Sequence, residues 1–245
     1  MIASLPMYLR PETRDAHDRY WQAISDNLRA LGVEAPRALT AGGETPDHWR
    51  ASDLVLSQTC GRPYRLHLHG HVTLVGTPDY GLPDCDAGYY RSLFIARADD
   101  RRTVPADFAT AVFAYNDRMS QSGWAAPQYH AAQTGFQFEN LLQTHGHVTS
   151  AHAVAENRAD IAAIDGVTWE LIKRYDGFYK NLRVIATTTP TPGLPYVCAQ
   201  SVDRAKLVGA IRTAIKNLTP PDRETLMLRS LVQIPAHAYL AVPNP

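Results

Sequence analysis

The chain has 245 residues, 45% of them hydrophobic, and its 24 Lys and Arg balance 24 Asp and Glu. That length fits one large domain or two small α/β lobes. The balanced charge argues against the basic stripe of a nucleic-acid surface and against a polybasic membrane patch, and no apolar run approaches the ~20 residues that span a bilayer.

Ile2-Ala3-Ser4-Leu5 reads as a first buried strand. Met1 to Asp15 has no basic n-region, long apolar stretch or small-residue cleavage site. The expected compartment is therefore the cytoplasm if Met1 is the natural start, and the periplasm if a leader was removed. Pro11 and Glu12 open a helix in which Tyr20, Ile24, Leu28 and Leu31 recur at helical spacing, with Gly32 as the stop. Gly42-Gly43 marks a loop, and Asp53 to Leu56 a short buried strand. A helix is expected over about 62–69, a strand at Val72 to Val75, a long loop from Thr77 to Gly88 and a strand at Ser92 to Ala96. Val112 to Tyr115 is the next strand, followed by a helix at Ala151 to Asn157 and a strand at Ile161 to Ile164 that ends at Asp165. Then come a helix from Thr168 to Tyr175, a strand from Leu182 to Ala186 and a proline-rich crossover from Thr187 to Pro195. Tyr196 to Ala199 is a strand, and Ala205 to Leu218 is a helix with apolar Leu207, Val208, Ile211 and Ile215. Strands alternating with helices imply βαβ units and mainly parallel sheets.

Two short polar loops carry the chemistry. Ser57-Gln58-Thr59-Cys60-Gly61 and Ser120-Gln121-Ser122-Gly123 each follow a strand-like run and precede a helix-like segment. Neither holds a charged side chain, so both offer hydroxyls, amides and backbone N–H groups. A helix start has unpaired N–H donors and a partial positive charge, which makes it a seat for an anion. Two such loops suggest two lobes gripping one small oxyanion. Tyr8, just after the first strand, and Asp165, at a strand end, are further candidate contacts at the same rim. Arg91 is either a cation for the anion or a surface ion-pair partner.

The stretches SQTCGRPY, GYYRSLFIARADD, SQSG, GHVTSAHAVAENRADIAAIDGVTWEL and RVIATTTPTPGLPYV, in this order, resemble the phosphate/phosphite/phosphonate-binding proteins of ABC importers. The resemblance implies the α/β, two-lobed type II periplasmic-binding-protein fold. Each lobe would be a mainly parallel sheet flanked by helices, with a two-strand hinge. Lobe 1 is placed at 1–102 plus 190–245 and lobe 2 at 103–189. The resemblance also implies an aromatic beside the ligand at Tyr89 or Tyr90, a hydroxyl pair at Ser120 and Ser122 with Gln121 between them, and a ligand histidine at His147 with Ser150 close behind. Gln58, Thr59 and Gly123 complete the expected ligand set. Two positions depart from the pattern. Where relatives that hold an aminoalkyl group place carboxylates, this sequence has Gly166-Val167 and Leu194.

The expected function is a solute-binding protein for a phosphonate-, phosphite- or phosphate-like oxyanion, either an importer component with a permease partner or a ligand sensor. No catalytic residue, metal or cofactor is expected, nor any nucleic-acid partner or membrane insertion. The alternative is an enzyme on the same fold in which Cys60, at a helix start that favours a thiolate, joins His147 and Asp165 as a nucleophilic set. Cys60, Cys85 and Cys198 are widely spaced and form neither a CxxC pair nor a zinc pattern. His67, His69 and His71 would share one face of a strand as a metal row, but a helix over 67–69 makes them diverge.

Overall fold

Strands form chiefly where the sequence is apolar without interruption. The computed structural model describes residues 1–41 and 45–245; the Gly42-Gly43 pair read as a loop lies outside them. The strands, in chain order, are β1 (Ile2–Ser4), β2 (Leu54–Gln58), β3 (Thr73–Asp79), β4 (Tyr89–Tyr90), β5 (Ser92–Arg97), β6 (Val112–Tyr115), β7 (Asn140–Gln143), β8 (Ile161–Asp165), β9 (Leu182–Thr187), β10 (Thr191–Pro192), β11 (Tyr196–Cys198) and β12 (Ser230–Val232). All five residues of β2 and all five of β8 are buried. Such runs are covered on both faces and so show no alternation.

The chain divides into two units, residues 1–89 with 192–240 and residues 90–191 with 241–245. The expected first boundary, after residue 102, is corrected to residue 89. The reason is β5, which pairs along its length with β8 (Leu93 opposite Ile164, Phe94 opposite Ala163) and with β9 on its other side. The second crossing lies at 191–192 rather than 189–190, and the last five residues group with unit 2.

Unit 1 holds the sheet β1-β2-β11-β3-β12 and unit 2 the sheet β7-β6-β8-β5-β9. In unit 2, β6 is parallel to β7 and β8, while β5 runs antiparallel to both β8 and β9. Four of its five strands therefore share one direction. In unit 1, β1, β2 and β3 share a direction, and β11 and β12 oppose it. The strand that follows each crossing, β5 or β11, is inserted antiparallel inside the sheet it enters. The parallel character thus lies in strand direction, and many neighbouring pairs are antiparallel.

In unit 1 the helix Arg14–Ala30 buries Tyr20, Trp21, Ile24 and Leu28, each 1% exposed or less. Each such burial contributes about 1.5–3 kcal/mol against exposure. The same core takes Leu207, Ile211 and Ile215 from the helix Arg204–Lys216. Gly32 ends the first helix in the left-handed region (φ 71°), and Val33 N–H reaches back to the Leu28 carbonyl at 2.9 Å. A side chain at that φ would be strained.

Several strand expectations change, two of them instructive. The loop expected from Thr77 continues as strand to Asp79 despite Pro78. There β3 pairs only with β12, beyond the last partner of β11 at Gly76, so no second neighbour requires the missing N–H. The edge strand β7 was not expected: Asn140, Leu141 and Gln143 are exposed, and no apolar run announces it.

Candidate functional site

The second polar loop folds as a capped turn. Ser120 is extended (φ −70°, ψ 133°), and its Oγ accepts the Gly123 N–H at 2.9 Å. The next turn, Gln121–Ala125, is a π-turn that opens with Ala125 N–H on the Ser120 carbonyl, and it runs into the helix Ala126–Gln133. Such turns are frequent at functional sites. The N–H groups of Gln121 and Ser122 stand ahead of any intrahelical acceptor. Ser120, Gln121 and Ser122 are all buried. The Ser92 hydroxyl donates to the Ser122 carbonyl at 2.8 Å and ties the turn to β5.

Two expected residues meet here. The Ser122 Oγ and His147 Nε2 lie 2.9 Å apart. His147 opens the helix His147–Ala155 directly after extended Gly146. Burial draws the imidazole pKa down to about 4, with the Ala163 backbone acting the other way. His147 keeps some exposure as a residue, but its Nδ1 is sealed from solvent. The ring is therefore neutral at pH 7, and with the polar loop it makes a donor set of hydroxyl and N–H groups without formal charge.

Gly123 shows why the loop ends in glycine. A Cβ there would lie 1.9 Å from Asn116 Oδ1, 2.8 Å from Asn116 Cγ and 3.1 Å from His147 Cε1. The Asn116 amide occupies the space of the missing side chain. Sequence reasoning passed over Asn116 and Ser92. Their signal was position alone: Asn116 directly follows the strand Val112–Tyr115, and Ser92 follows the aromatic pair.

The other expected residues of unit 2 have structural partners. Ser150 is fully buried, and its hydroxyl lies 2.6 Å from Thr144 Oγ1, which also bonds the Tyr115 and Gly146 carbonyls. That cluster fixes the turn leading to His147. Asp165 is 2% exposed, and its Oδ1 accepts the Thr168 N–H at 2.9 Å as the cap of the helix Gly166–Tyr175. Tyr90 is buried just before β5. Arg91 Nη1 reaches Thr187 Oγ1 at 3.3 Å.

In unit 1, Gln58 turns inward. Its Nε2 donates to the Tyr80 hydroxyl at 3.1 Å and to the Leu194 carbonyl at 3.2 Å, which uses both amide hydrogens. Thr59 N–H donates to the Pro195 carbonyl at 3.0 Å, and its hydroxyl to the Cys60 carbonyl at 3.4 Å. The expected donors of this loop thus tie β2 to the segment before β11. Tyr8 is buried and meets the Tyr80 ring edge-on, with centroids 5.0 Å apart. Tyr89 is partly buried, against an apolar cluster of this unit. Cys60 caps the helix Gly61–Pro63 through backbone geometry, without a side-chain capping bond. His67 sits on the following π-turn, and His69 beyond its end.

Comparison with known proteins adds the family. Residues 59–238 match the model for the phosphonate ABC transporter periplasmic substrate-binding protein, well over half the chain. The fold is similar to PhnD1 from Prochlorococcus marinus in complex with methylphosphonate (TM-score 0.73, 15% identity, 96% of this chain and 93% of that one). It is also similar to a binding protein component of an ABC phosphonate transporter from Pseudomonas aeruginosa (0.68, 17%, 94% and 79%). A third similar structure is a Xanthomonas citri protein bound to chloride ion (0.69, 13%, 94% and 91%). No curated protein matches the sequence. With the family model covering both polar loops from Thr59 onward, the chain belongs to the phosphonate-binding substrate-binding proteins of ABC transporters, and its role is solute binding.

Proposed function

We propose that this protein captures a small phosphonate-, phosphite- or phosphate-like oxyanion and releases it unchanged, with an ABC permease as its partner. The observation that carries the reading is the Ser120–Gly123 turn with its Ser122–His147 pair, an uncharged donor set at a helix start. Such a start favours an anion through its N–H groups and dipole. The absence of carboxylates at Gly166-Val167 and Leu194 favours ligands without an aminoalkyl group. Against a Cys60–His147–Asp165 nucleophilic set stand the helix cap made by Asp165 Oδ1 and the Ser122 partner of His147 Nε2. The compartment follows from the leader. With an export leader upstream the protein serves an importer in the periplasm; without one it acts as a cytoplasmic ligand sensor, and fractionation of the native strain separates the two.

The test is calorimetry with methylphosphonate, phosphite, phosphate, sulfate and acetate. We expect one phosphorus oxyanion to bind in the micromolar range or tighter and Ser122→Ala to weaken it at least tenfold. Equal, millimolar binding of all five would overturn the reading.

A further inference from the structure

Unit 1 contains a cavity of about 20 Å³ at the inner side of Gln58, and His17, Tyr20, Tyr80 and Tyr196 contribute to its wall. The volume is too small for a phosphonate and sufficient for one water, which needs roughly 10–15 Å³ and two to four polar partners. The wall supplies such partners. Tyr20 is 1% exposed, and its hydroxyl has no partner of full hydrogen-bond geometry; the Tyr196 hydroxyl, which interacts with both Tyr20 and Tyr80, is its polar neighbour. His17 Nδ1 lies 3.0 Å from the Thr13 carbonyl, so that nitrogen is the donor and Nε2 the acceptor. Burial lowers the His17 pKa and raises those of Tyr20 and Tyr196, so all three are uncharged at neutral pH. Tyr80 also lines the cavity, and its hydroxyl receives the Gln58 amide.

We propose that this cavity holds one resident water bonded to Tyr20 Oη. The water braces Tyr80 and thereby keeps the Gln58 amide on the Leu194 carbonyl. Its ligand is water, and its role is to position the loop Gln58-Thr59. The link to ligand affinity rests on the function proposed above; the water itself does not.

Three measurements on the full chain test it. A high-resolution crystal structure should show a water peak within hydrogen-bond distance of Tyr20 Oη. An empty cavity, or a direct Tyr20–Tyr196 bond closing it, would overturn the proposal. Tyr20→Phe keeps the ring and removes the water's anchor, so its Tm should fall by roughly 2–4 °C. In a dry cavity the same change deletes an unmet buried hydroxyl, so an unchanged or raised Tm would count against the water. Tyr20→Phe and Tyr80→Phe should each weaken methylphosphonate binding several-fold, and unchanged affinity would overturn the bracing role. If the wild type binds no methylphosphonate, the proposed function fails while the first two arms still decide the water.

Discussion

Gly123→Ala probes the second polar loop most directly. Gly123 has no unusual φ, so the cost of the change is steric and is set by its neighbours. The new methyl would lie 1.9 Å from Asn116 Oδ1 and 2.8 Å from Asn116 Cγ. Real carbon contacts do not reach such distances, so the Asn116 amide must swing away or the turn must open. Overpacking of this kind costs about 1–3 kcal/mol. An opened turn also loses the Gly123 N–H to Ser120 Oγ cap, worth about 1 kcal/mol. The sum, about 2–4 kcal/mol, corresponds to a fall of roughly 4–16 °C in Tm for a chain of this size. The third neighbour, His147 Cε1 at 3.1 Å, connects the same overlap to the Ser122–His147 pair. Methylphosphonate affinity measured by calorimetry should therefore fall more than tenfold. Thermal melts and calorimetry on the double variant Asn116→Ala/Gly123→Ala provide the check. Removing the amide opens the space, so the double variant should recover more than half of the lost stability, a coupling that distant sites do not show. A Gly123→Ala protein that melts within 1 °C of wild type and binds as well would refute the steric argument. A double variant no better than the sum of its parts would refute the assignment to Asn116.

Stability should fall as pH drops from about 6.5 towards 4. The unfolded His147 takes up a proton near 6.5, and the folded ring resists protonation until about 4; full separation is worth up to about 3 kcal/mol, less for a partly exposed residue. His17, also lowered by burial, acts in the same direction. Urea melts at pH 7.5 and 4.5 should show the loss, and His147→Gln should flatten it; an equal slope in the variant would reject His147 as the cause. The lowered carboxylates Asp100, held down to about 2 by the Arg102 hydrogen bond, and Asp222, held by Arg19, lose their contribution only at more acid pH, below about 4. For selectivity, 2-aminoethylphosphonate should gain no large advantage over ethylphosphonate; a preference above tenfold, roughly 1.4 kcal/mol, would point to Asp165 as the amine's partner. Cys60→Ser should bind within a few-fold of wild type, because the cap at that position is made by backbone geometry. Turnover of any phosphonate that disappears in Cys60→Ser would replace the binding protein by an enzyme.

The candidate set was legible to the extent that it lay in local chemistry. Ser120 as a cap follows from a Ser-Gln-Ser-Gly loop at a helix start; Ser122 and His147 were each legible as candidates, but their pairing is a product of the fold. Asp165, Gln58 and Thr59 were legible as residues at strand ends, but not as residues whose polar atoms cap a helix or tie the segment before β11. The partners of Gln58 and Thr59 are distant in sequence, with Gln58 and Leu194 standing 136 positions apart, whereas Asp165 caps through Thr168, three residues on. Asn116 was invisible because its role depends on a missing side chain seven residues away, which only packing reveals.

By itself the sequence determined the types of the elements with apolar runs or helical spacing, because those are local properties. Ile2–Ser4, Leu54–Gln58, Val112–Tyr115 and Ile161–Asp165 form strands within a residue or two of expectation. It also determined the two-crossover plan through the ordered loops that carry the family resemblance. Only the tertiary structure decided where the first crossing falls, since β5 looks alike on either side of a boundary until β8 and β9 supply its partners. The tertiary structure likewise decided that β5 and β11 run against their neighbours and that the exposed segment Asn140–Gln143 is a strand. The physical reason is the same in each case: strand direction and edge pairing are set by backbone hydrogen bonds between segments far apart in the chain, and side-chain pattern carries no record of the partner.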